Sequence, residues 1–573
     1  MDLIDRLSRG LKAYFLLALL TFAAAWPGVI NMPALDRDEA RFAQASRQMV
    51  QSGDYVTIRF QDELRNKKPA GIHWLQAASV SVFSDPDSTE IWPYRLPSLM
   101  GAIAAVCFCF WFGSGLVGRR AAFMGSSLFA CSLLLTTEAH IAKTDAVLVA
   151  TTCLLFGALS KLYLQTERTV HWPLIAWIGA AASMLIKGPV ILGLAAATLF
   201  GLFAFERRAN WMKPLLSWQG WGLFLILTLP WFILVQLQTG GAYLDGALGK
   251  DFADKVSGAS EGHGGLPGYH TLLLWILFFP GTLFLVPALR SMISAFGKND
   301  RAAPSPARFL SVWVLATWMI FEPLPTKLPH YVLPAYPALG LLAGLGATRL
   351  MGQPIHWGLK TMSAIGFVLA MAGLLVALHP SLLDGVRGLE VDYRRAGSNV
   401  SHNLPVPNVE HAVWWLTLVF ALTSLVFFLR NRIAMSLLAV LASGIALSWH
   451  ARVELLPAQK WILASEAAMT QLTEIDAQDR IKVIGYSEPS LVFLTNNRVQ
   501  FVREFDGSPG VWLLNLEEPA GAAALEQLSE LSDAEQGCLH QSAPVSAYNY
   551  SKGRVARFVL IDIRSCSGKR PEE

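Results

Sequence analysis

Charged side chains are scarce in this sequence, and their scarcity excludes an ordinary soluble protein. Only 15% of the 573 residues are Asp, Glu, Lys or Arg, whereas 53% are hydrophobic and the mean hydropathy is +0.41. A soluble domain carries roughly 25% charged residues. The apolar residues occur in runs of about 20, which is the length that crosses a bilayer. The sequence therefore predicts a mostly α-helical protein with many membrane spans.

Two further absences narrow the function. The formal net charge is only +4, and the sequence has no basic stripe with interleaved aromatic residues, so nucleic acid is not expected as a partner. The cysteines show no spacing typical of a structural zinc site. Most of them fall in apolar runs, where small packing residues are expected. Cys538 and Cys566 follow the last run and are predicted to pair in an oxidising compartment, with two lone thiols as the alternative.

The apolar runs predict about 13 transmembrane helices. The first run, from Leu11 to Ile30, is long for the core of a signal peptide, and Asn31-Met32-Pro33 follows it in place of a small-residue cleavage site. We therefore interpret it as a retained helix. The other predicted spans cover residues 96–117, 121–136, 144–163, 172–186, 189–205, 219–238, 270–289, 308–322, 330–348, 358–378, 412–429 and 433–449.

Basic residues alternate between the predicted loops, and this alternation sets the expected orientation. Cytoplasmic loops of membrane proteins hold an excess of Lys and Arg. If the N-terminus, with Arg6 and Arg9, is cytoplasmic, every second loop is basic, from Arg119-Arg120 to Arg430 and Arg432. The pattern supports an odd number of spans. It predicts a bacterial inner-membrane protein with a cytoplasmic N-terminus and a periplasmic C-terminal domain.

The composition changes after the last apolar run. We expect residues 1–450 to form the membrane domain and residues 451–573 to form a small soluble α/β domain in the periplasm. Its predicted strands cover residues 480–484, 510–514 and 555–563, and its predicted helix covers residues 522–531.

The first outer loop is the richest segment in ionisable residues. Asp38-Glu39-Ala40-Arg41 opens a run of apolar residues at helical spacing that ends at Ser52-Gly53-Asp54, and a second amphipathic piece follows Pro69. Both pieces, at about 38–82, are predicted to be helices in the membrane interface. A plain alternative is that Asp36 or Asp38 caps a helix and that the basic residues contact lipid headgroups.

Other ionisable residues are predicted to lie on the same face of the bilayer. Asp145 opens a span, where an ionisable side chain is costly and often functional, although a helix cap is the alternative. Lys187 lies in a tight outer turn, Lys255 in the fourth loop, and Lys327 and Tyr331 at the start of a later span. Cations gathered at one face suit a lipid phosphate, and carboxylates suit proton removal or charge stabilisation at a sugar.

These motifs resemble those of a known superfamily. Asp38-Glu39-Ala40-Arg41, Ser52-Gly53-Asp54, Lys68-Pro69 and His73-Trp74, in this order, are similar to the first-loop motifs of the GT-C polyprenyl-phosphate glycosyltransferases. That superfamily includes the lipid A aminoarabinose transferases and the protein O-mannosyltransferases. Lys327-Leu328-Pro329-His330-Tyr331 is similar to its second signature. The resemblance covers the whole chain and implies a GT-C fold with inverting transfer of a sugar from a polyprenyl-phosphate donor.

The resemblance also implies a set of site residues and partners. The implied acceptor is lipid A or another envelope glycolipid, and a protein acceptor stays open. Lys67 stands where some relatives have an acidic residue that helps to hold a structural metal, which argues against a metal there. No cofactor is expected to be required, and a divalent metal stays open as an alternative. Catalytic carboxylates are expected from Asp38, Glu39 and Asp145, and contacts with the donor phosphate are expected from Arg41, Lys68, Lys255, Lys327 and Tyr331.

Two rival hypotheses come from other classes of protein. A transporter or flippase of polyprenyl-linked lipids would share the spans and the basic outer residues, but it should show internal repeats and broken helices. The sequence shows no repeat, and its ionisable residues cluster at one surface. A non-catalytic scaffold is the other rival, and the density of charge in the first loop argues against it.

Overall fold

The computed structural model is mostly helical and ends in a small sheet. The structure describes residues 3–164, 171–246, 264–297, 303–351, 355–378, 412–473, 479–529 and 539–563. The predicted pair Cys538 and Cys566, like Lys255, lies outside the described residues.

Helices follow one another along the first half of the chain with few interruptions. A 3-10 turn, Asn210–Leu216, precedes the eleventh helix. The helices are α1 (Leu3–Leu7), α2 (Gly10–Asn31), α3 (Asp38–Ser52), α4 (Gly71–Phe83), α5 (Trp92–Val117), α6 (Arg119–Ala130), α7 (Leu133–Ala139), α8 (Asp145–Leu164), α9 (His171–Lys187), α10 (Val190–Glu206), α11 (Trp218–Gln238) and α12 (Ala242–Leu244).

The second half is also helical up to residue 449, and after that residue helices alternate with strands. The second half includes the 3-10 segments Gly281–Phe284, Pro329–Ala335 and Lys460–Ile462 and the π-turn His450–Leu455. The helices are α13 (Tyr269–Leu277), α14 (Leu285–Ser294), α15 (Pro306–Phe321), α16 (Tyr336–Leu350), α17 (Trp357–Ala377), α18 (Ala412–Leu429), α19 (Ile433–Trp449), α20 (Leu456–Ala458), α21 (Ala464–Leu472), α22 (Pro489–Leu494) and α23 (Pro519–Ser529).

The chain is a multi-pass inner-membrane protein, as predicted, but the predicted count of spans is not confirmed. Among the described residues, 8 helices are long and apolar enough to cross a membrane, or up to 10 if each of two bent pairs is one span. Helix α10 has 17 residues and α15 has 16, which is short of the length of about 20 that spans a bilayer upright. Hydropathy therefore located the helices without establishing how many of them cross.

Two helix pairs are bent inside the apolar region. Helices α6 and α7 meet at 60°, and α13 meets Gly281–Ser294 at 113°. The amide of Leu133 donates to the carbonyl of Phe279 at 2.8 Å, so the backbone groups freed at one break are satisfied at the other. Such pairing is what irregular backbone at membrane depth requires. The first break also sets the direction of α7, which carries Glu138 towards the start of α8.

The first loop forms helices α3 and α4, as predicted, with a short hairpin, β1 (Arg59–Phe60) and β2 (Glu63–Leu64), between them. Helix α3 ends at Ser52 because Gly53 takes up the left-handed conformation with φ 70°. Helix α4 packs closely against the end of α9. A Cβ atom at Gly71 would lie 2.6 Å from the carbonyl oxygen of Leu185, so glycine is what permits this approach. The loop is thereby held beside Lys187.

The C-terminal region has a small α/β fold, as predicted, with six strands in one mixed sheet. Strands β3 and β5 are parallel, β3 is also parallel to β4, and β5 is antiparallel to β8. The strand order is β4-β3-β5-β8-β6, with β7 paired to β8, and the domain boundary at residue 450 stays a prediction. The strands are β3 (Ile481–Ile484), β4 (Val499–Phe501), β5 (Val511–Asn515), β6 (His540–Gln541), β7 (Val545–Asn549) and β8 (Arg554–Asp562).

The sheet region packs directly on the first loop. The fully buried guanidinium of Arg47, in α3, donates to the carbonyl oxygens of Phe493 at 2.8 Å and Ser88 at 2.6 Å. The amide of Asp36 donates to the hydroxyl of Tyr550 at 2.7 Å. The contacts with Phe493 and Tyr550 hold α3 and the residues before it against the C-terminal region.

Candidate active site

Five ionisable side chains from separate segments meet at one end of the helices. Glu138 ends α7, Lys143 lies in the following loop, Asp145 begins α8, Lys187 ends α9 and His330 begins the segment before α16. The Nζ atom of Lys187 lies 2.5 Å from Oδ1 of Asp145, and Nζ of Lys143 lies 2.8 Å from Oε2 of Glu138. Glu138 and Asp145 are 3% and 5% exposed, so the cluster is buried and its carboxylates are paired with cations.

Lys143 is the centre of this cluster. Its Nζ atom lies 3.4 Å from Nδ1 of His330 and 3.8 Å from Oδ2 of Asp145, in addition to its ion pair with Glu138. Burial lowers the pKa of Lys143, but the carboxylates of Glu138 and Asp145 raise it further, so the pKa lies above its ordinary value and the ammonium stays charged.

Asp38 differs from these carboxylates because it is open. Its side chain is 61% exposed, and its Oδ1 atom lies 3.7 Å from the guanidinium of Arg65. The surrounding protein raises the pKa of Asp38 by desolvation, but the charges of Arg65 and Lys143 lower it more, and the pKa falls below its ordinary value. Asp38 is the first residue of α3, and the N-cap residue, Arg37, makes no side-chain cap hydrogen bond. The result is an accessible carboxylate that stays ionised beside several cations.

Glu39, its neighbour in the chain, has a different environment. It is 1% exposed, and its two oxygens accept hydrogen bonds at 2.8 Å from Nε and the second terminal nitrogen of Arg95. Oε1 also accepts the amide of Ala142 at 2.8 Å, and Oε2 accepts the amide of Leu35 at 2.9 Å. A catalytic role for Glu39 stays a prediction. What the geometry supports is that Glu39 holds the loop containing Lys143 against the start of α3.

Arg41 lies about one helical turn after Asp38 in α3, and its charge lowers the pKa of that carboxyl, whereas Lys68 lies further along the first loop. Both are half-buried, and within the described residues no carboxylate oxygen lies within ion-pair distance of the Arg41 guanidinium. Lys68 follows the hairpin and precedes α4 by a few residues. Their positions are compatible with the expected contact to a donor phosphate, which remains a prediction.

Lys327 and Tyr331 occupy different positions relative to the cluster. The ammonium of Lys327 donates to the carbonyl oxygen of Glu322, and it is 3.9 Å from the Glu322 carboxylate. The ring of Tyr331 lies beside the cluster, with its centroid 5.8 Å from Nζ of Lys187. Tyr331 therefore borders the cluster, whereas Lys327 is engaged by Glu322.

Sequence reasoning missed Glu138, Lys143 and Arg65 as site residues. Glu138 and Lys143 lie in or next to apolar runs, and an ionisable residue in such a run is a signal for function. That signal identified Asp145 alone. Arg65 is one of several basic residues in the first loop, and no pattern separates it from its neighbours.

One oxygen or nitrogen atom from each of Glu138, Asp145 and His330 lies within 4.8 Å of the others, a grouping that is able to hold a metal ion. Lys143 and Lys187 already form ion pairs with both carboxylates. Carboxylate oxygens and an imidazole nitrogen are suitable ligands for a divalent cation, but the ammonium groups of the two lysines already balance the negative charge of the carboxylates.

Comparisons with known proteins agree with this architecture. The family of dolichyl-phosphate-mannose-protein mannosyltransferases matches residues 67–234. An undecaprenyl phosphate-alpha-4-amino-4-deoxy-L-arabinose arabinosyl transferase of Yersinia pestis is 24% identical over 353 residues, or 59% of this chain. A transferase of the same name from Shewanella sediminis is 22% identical over 316 residues, or 54% of this chain. The matched segments span 60% and 55% of the length of these two curated relatives.

Solved structures extend the likeness over nearly the whole chain. ArnT from Cupriavidus metallidurans in the apo state superimposes with a TM-score of 0.71 at 18% identity. The superposition covers 97% of this chain and 99% of the ArnT chain. The same protein bound to undecaprenyl phosphate gives a TM-score of 0.69, with 97% and 98% covered. The resemblance to GT-C polyprenyl-phosphate glycosyltransferases is thereby confirmed, and the chain has their fold.

Proposed function

We propose that this protein is an inverting glycosyltransferase that moves a sugar from a polyprenyl-phosphate donor to lipid A or another envelope glycolipid. The observation that carries the proposal is the contrast between Asp38 and the carboxylates around it. Asp38 is 61% exposed and lies among cations, whereas Glu138 and Asp145 are buried and paired. An open, ionised carboxylate beside cationic side chains suits such a transfer, because the carboxylate accepts a proton or stabilises positive charge on the sugar and the cations stabilise the leaving phosphate.

The reaction is a single displacement at the anomeric carbon. An acceptor oxygen forms a bond to that carbon while the bond from the carbon to the donor phosphate oxygen breaks. The polyprenyl phosphate leaves with the electron pair, and Arg41 and Lys68 stabilise its growing negative charge. If the acceptor is a hydroxyl group, its proton passes to Asp38; if the acceptor is an ionised phosphate of lipid A, no base is needed and Asp38 stabilises positive charge on the sugar.

The names of the relatives support this choice of donor and acceptor class. The transferases from Yersinia and Shewanella are named for undecaprenyl-phosphate aminoarabinose, and the ArnT structure was solved with undecaprenyl phosphate. The fold brings the first loop, which carries Asp38 and Arg41, and the end of α9 to the same face as Asp145. A polyprenyl chain would lie in the bilayer while its phosphate reaches this face.

A direct test uses purified protein in lipid nanodiscs with a panel of undecaprenyl-phosphate sugars that includes 4-amino-4-deoxy-arabinose. Lipid A, lipid A with core sugars, and a peptide serve as acceptors in parallel, and mass spectrometry detects the added sugar. We expect transfer to one of the two glycolipids. Transfer to the peptide alone would favour a protein acceptor. Translocation of the donor without transfer would favour the transporter.

The proposed orientation places the N-terminus in the cytoplasm and the sheet region in the periplasm. It is supported by the alternation of basic loops. Reporter fusions after Leu350 and after Arg452 should report opposite sides of the membrane. The same side for both fusions would contradict the proposed topology.

A further inference from the structure

Lys143 has no role in the mechanism above, yet it contacts three other members of the cluster. Its side chain is 11% exposed, and its Nζ atom lies within 2.8 Å of Glu138, 3.4 Å of His330 and 3.8 Å of Asp145. The other cation of the cluster, Lys187, forms an ion pair with Asp145. The ammonium of Lys143 is thus shared by three side chains from three separate segments.

These three side chains are a set that divalent metals bind. Two carboxylates and an imidazole are common ligands of zinc and manganese. One possible ligand atom from each lies within 4.8 Å of the others, so the set is already gathered around a common point. A lysine ammonium is a permanent positive charge at that point, held at hydrogen-bond distance from Glu138.

The gathering does not depend on the lysine side chain alone. The carbonyl oxygen of Lys143 accepts the hydroxyl of Ser98 at 3.1 Å, and the same hydroxyl lies 2.7 Å from the carbonyl oxygen of Ile141. The amide of Ala142 is held by Glu39. These contacts involve the backbone of the loop and do not require the Lys143 side chain.

We propose that Lys143 is an internal cation, whose ammonium occupies the place that a divalent metal ion would take between Glu138, Asp145 and His330. It holds these three groups in place and supplies positive charge next to Asp38 without a metal. Its effect on transfer rests on the proposed function, whereas its occupation of a latent metal site does not. Lys143 is a positioning residue in this scheme, because it acts through the groups around it.

Removal of the ammonium should expose the latent metal site. Two carboxylates and an imidazole would then face one another with one positive charge fewer, and a divalent cation would supply positive charge in its place. We expect Lys143→Ala to bind about one equivalent of Zn²⁺ or Mn²⁺ per chain, like other three-ligand sites. The wild-type protein should bind none at this site under the same conditions.

Metal analysis after gel filtration, together with the shift in melting temperature on adding each metal, measures this binding in nanodiscs. Lys143→Ala/Asp145→Asn should lose the bound metal. Lys327→Ala is the matched control, because Lys327 is similarly buried, at 5% against 9% for Lys143, but pairs with Glu322. If alanine at position 143 prevents folding, Lys143→Met keeps the aliphatic volume and removes the same charge. Equal metal content in wild type and in a folded Lys143 variant would overturn the proposal.

Transfer provides a second readout that separates positioning from simple structural damage. We expect a chelator to leave the transfer rate of the wild type unchanged. The transfer rate of Lys143→Ala should be roughly tenfold lower than that of the wild type, which is the effect of losing one charge-assisted contact. Added Mn²⁺ or Zn²⁺ should restore part of that loss in Lys143→Ala but not in the double variant. If Lys143→Ala binds the metal but its transfer rate is not restored, the metal site is supported and the positioning role of Lys143 is contradicted. If wild type transfers no sugar, the proposed function fails while metal binding still decides the occupation of the site.

Discussion

Helix α8 carries a buried charged cluster at each of its ends, and the two clusters differ in what they leave open. At the Tyr163 end, Glu206 accepts a hydrogen bond from the Tyr163 hydroxyl and forms an ion pair with Arg308 at 2.8 Å. Arg308 also donates to the carbonyl oxygens of Ala303 at 2.9 Å and Ala295 at 3.3 Å. The Glu206 side chain is 0% exposed. This cluster joins the ends of three helices, and within the part of the chain that the structure describes its carboxylate is closed off from solvent.

The Asp145 end is equally buried at its centre but open at its edge. Asp145 and Glu138 are paired with lysines, as Glu206 is with Arg308, yet the exposed carboxylate of Asp38 and the half-buried Arg41 lie next to them. Burial of charge by itself therefore does not indicate a functional site, because both ends have it. The difference is that the Asp145 end has a solvent-exposed carboxylate, Asp38, at its edge.

The largest expected effect on transfer separates the two ends directly. Asp38→Asn keeps the shape of the side chain and removes its charge, and we expect transfer to fall at least about a hundredfold, which is within the range of a positioned base. Glu206→Gln makes the same chemical change at the Tyr163 end of α8, called the closed end below, and should leave transfer per folded molecule nearly unchanged. Both variants are assayed with the same donor in nanodiscs. Near-normal transfer by Asp38→Asn would reduce Asp38 to a structural residue.

The cations of the first loop should give the next largest effect. Arg41→Ala or Lys68→Ala removes charge that stabilises the leaving phosphate, and we expect a loss of about 10- to 100-fold for each, with Lys68→Arg less harmful. Arg59→Ala is the matched control, because Arg59 is an exposed cation of the same loop. Initial rates of transfer measure the effect. Equal rates in all three alanine variants would remove the phosphate assignment.

Stability, rather than transfer, should respond at the closed end. Glu206→Gln removes the carboxylate that forms an ion pair with the buried guanidinium of Arg308, and breaking a buried ion pair costs about 3–5 kcal/mol. We expect a clearly lower melting temperature, which is measured by tryptophan fluorescence in detergent. Glu206→Gln/Arg308→Met removes both charges and should recover much of the loss. An unchanged melting temperature for the single variant would mean that this end is also solvated.

The smallest expected effect concerns the contact between the sheet region and the first loop. Burial and the nearby Glu488 carboxylate raise the pKa of Asp36 to about 7, while a hydrogen bond from Ser490 opposes them. Because the folded pKa is raised, the stability of this contact is fully present below the unfolded value and is lost as the pH rises through about 7.

Hydrogen exchange of the segments around Ser490 and Tyr550 checks this dependence. Protection should decrease from about pH 5 to about pH 8 after correction for intrinsic exchange, and Asp36→Asn, which stays neutral, should abolish the decrease. A pH-independent contact in the wild type would contradict the assigned pKa.

The sequence by itself determined where the helices and strands lie. Apolar runs of membrane length specify helices because their backbone groups must be satisfied within the segment. Gly53 ended α3 as predicted, because it tolerates the left-handed conformation that stops a helix. The three strands and the one helix predicted for the C-terminal region also agree with their observed positions to within a few residues, whereas β4, β6, β7, α21 and α22 were not predicted. The number of spans was not determined, because a short apolar helix has the same local pattern whether or not it crosses.

Only the tertiary structure decided how the ionisable residues divide their roles. Asp38 and Glu39 are adjacent and similar, but successive residues of a helix point about 100° apart. One therefore faces the open edge, while the other faces Arg95 and is buried. Glu138, Lys143 and His330 likewise meet because α7, its loop and the segment before α16 pack together. Contacts between residues so distant in sequence depend on packing, which no local pattern records.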